Sequence, residues 1–165
     1  MRRNFLKILG SYFIGFLVYP FSSAIANNVI GYNTKLSKNE DEYNIINPDL
    51  TDEQKKIMFD EATERAGSSI LNREKREGTY HCANCGVKLF SSDAKYESGS
   101  GWPSFYQSYP DVFETKTDYI LGYARTEYHC KNCDAHHGHI FNDGPRPTGK
   151  RYCNNGICLV FRDKS

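Results

Sequence analysis

The sequence predicts a mainly β fold of antiparallel strands, and three observations carry that reading. From Gly78 onward, short apolar or aromatic runs alternate with clusters of Gly, Pro, Asn and Asp, the texture of strands joined by turns. Two Cys-x-x-Cys pairs, Cys82/Cys85 and Cys130/Cys133, sit far apart in the chain and look able to pin distant loops of one sheet system. Finally, 39% hydrophobic and 14% aromatic residues in a chain of 165 are enough for one core, while 25% charged residues exclude a multi-span membrane protein.

The chain opens with an address. Arg2, Arg3 and Lys7 precede an uncharged stretch from Ile8 to Ala26, whose apolar heart, Ile8 to Val18, has the length of a signal-peptide core. Ala24-Ile25-Ala26 supplies the small-x-small cleavage pattern, so residues 1–26 are expected to be a signal peptide, removed before Asn27. The alternative is an uncleaved membrane anchor, which Gly10, Gly15, Pro20, Ser22 and Ser23 disfavour by diluting the run. Arg2-Arg3-Asn4-Phe5-Leu6-Lys7 also resembles a twin-arginine export signal, with Met1 where Ser or Thr is usual. Export to an oxidising periplasmic space is the expected destination. Cleavage takes three of the 21 basic residues and none of the 20 acidic ones, leaving a net charge of −2 and no basic footprint for nucleic acid.

Residues 27–47 are polar and read as a linker or loosely attached arm, and residues 48–165 as the domain. A helix is expected from Thr51 to Gly67. Thr51 and Gln54 fit a capping box, Asp52 and Glu53 suit the positive end of the helix dipole, and Ile57, Met58, Phe59 and Ala62 form its apolar face. Val87–Phe90, Tyr119–Tyr123 and Ile157–Phe161 are the apolar runs expected in strands. No internal repeat is expected; the cysteine pairs are duplicated, but their surroundings read as unlike.

Two residues between thiolates let one tight turn place both sulfurs on a single ion, and two such turns complete a tetrahedral shell for Zn²⁺. The alternatives are redox pairs or ordinary disulfides, but a redox Cys-x-x-Cys should open a helix within a βαβ unit, and neither pair does. A closed four-sulfur shell has no open position, so this metal is expected to be structural and the chemistry to lie elsewhere.

It is expected around His136-His137-Gly138-His139 and Cys153. Three histidines can bind a second metal, but no carboxylate stands at a clear ligand spacing from them. A thiol beside Arg151 and near histidines suits a nucleophile, because positive neighbours lower its pKa and thiolate is the attacking species. The plain alternative is that Cys153 is a small buried apolar residue.

Six ordered blocks carry a resemblance. Gly-Thr-Tyr-His-Cys82-x-x-Cys85, Ser98-Gly99-Ser100-Gly101-Trp102-Pro103-Ser104-Phe105, Cys130-x-x-Cys133, His136-x-Gly138-His139-x-Phe141, Asp143-Gly144-Pro145-x-Pro147-Thr148-Gly149 and Arg151-Tyr152-Cys153-x-Asn155 resemble the type B peptide methionine-R-sulfoxide reductases. The resemblance implies two antiparallel sheets of the β-tent type with short N-terminal helices, and structural zinc on Cys82, Cys85, Cys130 and Cys133. It implies Cys153 as the nucleophile, with His136, His139 and Asn155 binding and protonating the sulfoxide oxygen. Asp143 would orient that network, and Trp102 would pack on the substrate's S-methyl group. Attack would leave a sulfenic acid on Cys153 and release methionine. Implied partners are methionine-R-sulfoxide in proteins or peptides and an external thiol or thioredoxin-like reductant; the chain is expected to act as a monomer.

One position departs from the family. Where many members carry a resolving cysteine, two residues before the Trp, this chain has Ser100. Cys158 is the other thiol outside the knuckles, but on a straight strand five residues span about 16 Å and end on opposite faces. A one-cysteine cycle is therefore favoured. His137 reads as local variation, and His81 and His129 as exposed. A zinc-knuckle binding module and an exported structural domain are the rival classes; neither needs Cys153, His136, His139 and Asn155 together.

Overall fold

The computed structural model describes residues 43–164. The signal-peptide and export readings, with most of the arm, lie outside those residues. Two antiparallel sheets form the body. The smaller has the order β2-β1-β9, from β1 (Gly78–Cys82), β2 (Lys88–Ser91) and β9 (Leu159–Asp163). The larger has the order β3-β4-β8-β7-β6-β5. Its strands are β3 (Lys95–Tyr96), β4 (Ser104–Phe105), β5 (Phe113–Asp118), β6 (Arg125–Cys130), β7 (His136–Phe141) and β8 (Arg151–Asn154). Aromatic rings join the sheets: Phe90 of β2 stacks on Phe105 of β4 with centroids 4.1 Å apart, and Tyr80 of β1 meets Phe105 edge-on at 4.9 Å. All three rings are fully buried, each contributing roughly 1.5–3 kcal/mol by area alone.

The helix α1 (Asp52–Phe59) is shorter than expected. Its start is as read: Thr51 Oγ1 accepts from Gln54 N, and Gln54 Oε1 from Thr51 N. Its end is not at Gly67, because Asp60 caps it and Glu61 turns to φ 56°. The following residues leave the helix and bring Glu64 to Asn155 and Gly156, just past β8, instead. Tyr119–Tyr123 is no strand either. It forms the tip between β5 and β6, with Tyr119, Ile120, Leu121 and Tyr123 exposed; periodicity gave no way to tell an exposed apolar turn from a buried run. Within Ile157–Phe161, residues up to Cys158 belong to a 3₁₀ turn (Gly156–Cys158), and β9 begins at Leu159.

The surroundings of the two cysteine pairs, expected to differ, match closely. Tyr80-His81-Cys82-Ala83-Asn84-Cys85 and Tyr128-His129-Cys130-Lys131-Asn132-Cys133 each end a strand. In each, the strand pairing shifts register between the Tyr and the His. Each Tyr is fully buried, and each His Nδ1 lies against the carbonyl just past the second cysteine: Gly86 O at 2.9 Å and Asp134 O at 3.0 Å. Gly86 and Asp134 take the positive φ that closes each knuckle. These bonds draw both histidines inside, so His81 and His129 are buried, not exposed.

The described end of the expected arm is docked. Asn84 Oδ1 accepts from the backbone N–H of Ile46 and Asn47, and Asn84 Nδ2 donates to Asn44 O. Tyr43 stacks on Phe59 with centroids 4.9 Å apart.

Candidate active site

Cys153 lies on β8 between β4 and β7, and register decides its neighbours. Ser104 pairs with it on one side and His139 on the other. Directly paired residues share a sheet face, so the His139 ring and the Cys153 thiol stand on the same side. Gly138 permits the close crossing: at φ +151°, a Cβ there would sit 2.0 Å from Cys153 O. Together Thr63, Trp102, Arg125, His139, Phe141, Cys153 and Asn155 wall a cavity of about 100 Å³. That is well below the ~300 Å³ of pockets that engulf a small ligand, so it suits the end of a side chain. A cleft of about 420 Å³ near Glu77 and Lys88 is larger, but its walls carry no cysteine or histidine.

Cys153 is half-buried, and its thiol contacts Ser100 Oγ at 3.7 Å. Burial pushes its pKa above the ordinary thiol value, while Ser100 and Arg151 pull the other way without prevailing. Arg151 thus acts in the expected direction, but desolvation is the larger effect and the net shift is upward. Arg151 is itself gripped by Asp143, whose Oδ1 and Oδ2 accept from Nε at 2.8 Å and NH2 at 2.9 Å.

Asp143 therefore orients Arg151 and stands apart from the histidines expected to be its partners. The carboxylates beside those histidines come from β5 and β6. Asp118 Oδ2 lies 2.9 Å from His139 Nε2, and Asp118 also takes Arg125 and the Ile120 N–H. Burial raises the Asp118 carboxyl, but these three donors together bring it below the ordinary range. An ionised Asp118 fixes the Nε2 proton on His139. His136 stands behind His139, ring centroids 5.6 Å apart, fully buried and off the cavity wall. Its Nδ1 is 2.7 Å from Glu127 Oε1. His137 packs in the core beside Phe113, its pKa lowered to about 3 by burial.

Glu64 frames the other wall. Its Oε2 accepts from Gly156 N at 2.6 Å, its backbone O from Trp102 Nε1 at 3.0 Å, and its backbone N–H donates to Asn155 Oδ1 at 3.0 Å. Asn155 Nδ2 donates to His137 O, which settles the orientation of the amide. No spacing rule points to Asp118, Glu127 or Glu64, since sheet pairing and loop crossing bring them in.

Cys158 is fully buried, and burial drives its pKa well above the ordinary value. No sulfur contact joins it to Cys153 among the described residues. The four knuckle cysteines converge, with Cys82 and Cys133 sulfurs 3.7 Å apart and Cys85 and Cys130 3.6 Å apart. Ligands at 2.3 Å around a tetrahedral ion are separated by about 3.8 Å, so the set fits one metal ion and all four are free thiols rather than disulfides.

A family model described as SelR domain matches residues 50–163. A protein named peptide methionine sulfoxide reductase MsrB from Leptospira interrogans is 48% identical over 131 residues, 79% of this chain and 98% of its own. Proteins of the same name from Pseudomonas putida strain W619 and Methanosarcina barkeri are 49% and 45% identical, covering 70% and 77% of this chain and 87% and 88% of theirs.

Proposed function

The chain belongs to the SelR-domain family of peptide methionine sulfoxide reductases, and on that premise we propose a route by which it reduces the R epimer of methionine sulfoxide in exported proteins. It is an oxidoreductase; the finer reading rests on the cavity at Cys153. The observation that carries it is one small cavity walled by a thiol, an imidazole whose Nε2 is held by Asp118, an indole and the Asn155 amide.

The methyl end of the side chain packs against Trp102, whose indole Nε1 is tethered to Glu64 O. The sulfoxide oxygen faces His139 and Asn155, and His136 supports His139 from behind. Cys153 attacks the substrate sulfur as thiolate, forming a sulfur–sulfur bond, while a proton taken up from solvent by His139 is passed to the oxygen. The oxygen, as hydroxyl, then passes from the substrate sulfur to Cys153 while the new sulfur–sulfur bond breaks and its electron pair returns to the substrate sulfur, which releases the thioether and leaves sulfenic acid on Cys153. Two external thiols, or one thioredoxin-like dithiol, return Cys153–SOH to the thiol with loss of water and formation of a disulfide. The four knuckle cysteines would hold one structural Zn²⁺, which bears on folding and takes no part in these steps.

Residues 1–26 support export to the periplasm, by the twin-arginine route if the protein folds and loads metal first; mature protein starting at Asn27 is the check. The decisive experiment is turnover of each methionine sulfoxide epimer with a chemical dithiol. Wild type should consume the R epimer, and Cys153→Ser should lose all turnover with fold and metal content unchanged. Consumption of the S epimer alone would overturn the assignment.

A further inference from the structure

From the cluster of Glu127, His129 and His136, we infer a second metal site, for a divalent ion of the zinc type, distinct from the four cysteines. The side chains of Glu127, His129 and His136 are 6%, 3% and 1% exposed. Their ligand atoms all lie within 4.8 Å of one another. Glu127 Oε1 is 2.9 Å from His129 Nε2 and 2.7 Å from His136 Nδ1, yet none of these three atoms has a hydrogen-bond partner of acceptable direction.

The matching first hairpin serves as an internal control. There His81 Nδ1 meets a carbonyl, and its Nε2 meets the Thr79 hydroxyl at 2.8 Å. A carbonyl only accepts, so Nδ1 carries the proton and Nε2 accepts from the hydroxyl; every group is satisfied. In the second hairpin His129 Nδ1 again meets a carbonyl, Asp134 O, but the residue two places before the histidine is Glu127. A carboxylate cannot donate. Two acceptors, Nε2 and Oε1, therefore face each other in a dry place and require a cation between them.

Direction argues for a metal ion rather than a proton. A ring proton must point along the N–H axis at its acceptor. Two ligands 2.0–2.1 Å from one ion and about 2.8 Å apart place the oxygen roughly 45° off the ring axis, where a hydrogen bond fails and coordination does not. The carbonyl behind His129 is also the usual partner that orients a metal-binding imidazole. Two imidazoles and one carboxylate suit zinc, cobalt or nickel, with water completing the shell. His129 also lines a cleft of about 60 Å³ with Glu61, Lys116 and Asp134, space for roughly two waters beside that residue.

Occupation would tie up His136, so the ion should inhibit reduction; that consequence rests on the role proposed for His136, whereas binding does not. The test is equilibrium dialysis of the four-cysteine-loaded protein against Zn²⁺ with metal counting, and against Co²⁺ with absorption spectroscopy. Wild type should take a second equivalent that adds a weak visible Co²⁺ band without new thiolate charge transfer, and Zn²⁺ should lower turnover. His129→Asn should keep the first equivalent and the basal turnover, lose the second equivalent and escape inhibition. Glu127→Thr, which copies the first hairpin, should likewise lose the second equivalent and serves for the binding readout alone. One equivalent in wild type, or a second that persists in both variants, would overturn the site. Binding without inhibition would leave the site and overturn its coupling to His136.

Discussion

Ser100→Cys should convert the one-cysteine cycle into a two-cysteine cycle. Ser100 Oγ already lies 3.7 Å from Cys153 Sγ, against about 2.05 Å for a disulfide, so closure needs a shift of roughly 1.7 Å, within reach of side-chain rotation. In wild type, one turnover without reductant should leave sulfenic acid on Cys153, trapped by dimedone, and Cys158→Ser should behave the same because Cys158 is sealed in the core. In Ser100→Cys the sulfenic acid should instead yield a disulfide between Cys153 and the introduced thiol, seen by mass spectrometry as a loss of about 2 Da where wild type gains about 16 Da. The bond closes the loop from residue 100 to residue 153, which corresponds to about 4 kcal/mol of added stability in the oxidised form by the chain-entropy account. Denaturant unfolding of oxidised and reduced variant measures it. Persistent dimedone labelling of Cys153 in the variant would refute the adjacency, and a Cys153–Cys158 disulfide in wild type would refute the one-cysteine cycle.

Replacing Cys85 or Cys130, or stripping the metal with a chelator, should cost several kcal/mol of stability, because a four-thiolate site is part of the folding free energy; an equally stable, active variant would remove the zinc reading. Glu64→Gln should destabilise by roughly 1.5–3 kcal/mol, as it weakens charge-assisted bonds to Gly156 N and Ser68 Oγ, and should lower turnover by loosening the segment whose backbone holds Trp102 and Asn155. Unfolding and kinetics with both epimers report on the two effects. Because burial holds the Cys153 thiol above its ordinary pKa, turnover should rise with pH on the alkaline side. Arg151→Met removes a group that favours the thiolate, so that rise should move to higher pH; a move to lower pH would show that Arg151 does not face the thiol.

Residue spacing and residue type made the knuckles, the capping box and the block around Cys153 legible in the sequence. Each is a local device: a two-residue gap, a Thr-x-x-Gln, a short motif. What stayed hidden depends on which strands pair. Asp118 and Glu127 look like ordinary charges until β5, β6 and β7 lie side by side, and only then do they meet His139 and His136. The likeness of the two hairpins was present in the letters, Tyr-His-Cys-x-Asn-Cys twice, but its meaning lies in bonds to carbonyls that no letter encodes. Asp143 shows the opposite failure. It is close to the histidines in sequence, but the turn after Phe141 carries it back to Arg151.

The knuckles and the cavity are mechanically one unit. Cys130 ends β6, Cys133 lies in the turn, and His136, three residues on, begins β7. Side chains alternate along a strand, so slipping β7 by one residue against β6 or β8 would turn His139 away from Cys153. The bulge between Tyr128 and His129 and the glycine crossing at Gly138 each admit one register. A metal ion on the four sulfurs would fix the turn at the root of that hairpin and tie it to the end of β1. A closed ion with no chemistry of its own can thus decide whether imidazole and thiol share a face, by holding the register on which their meeting depends.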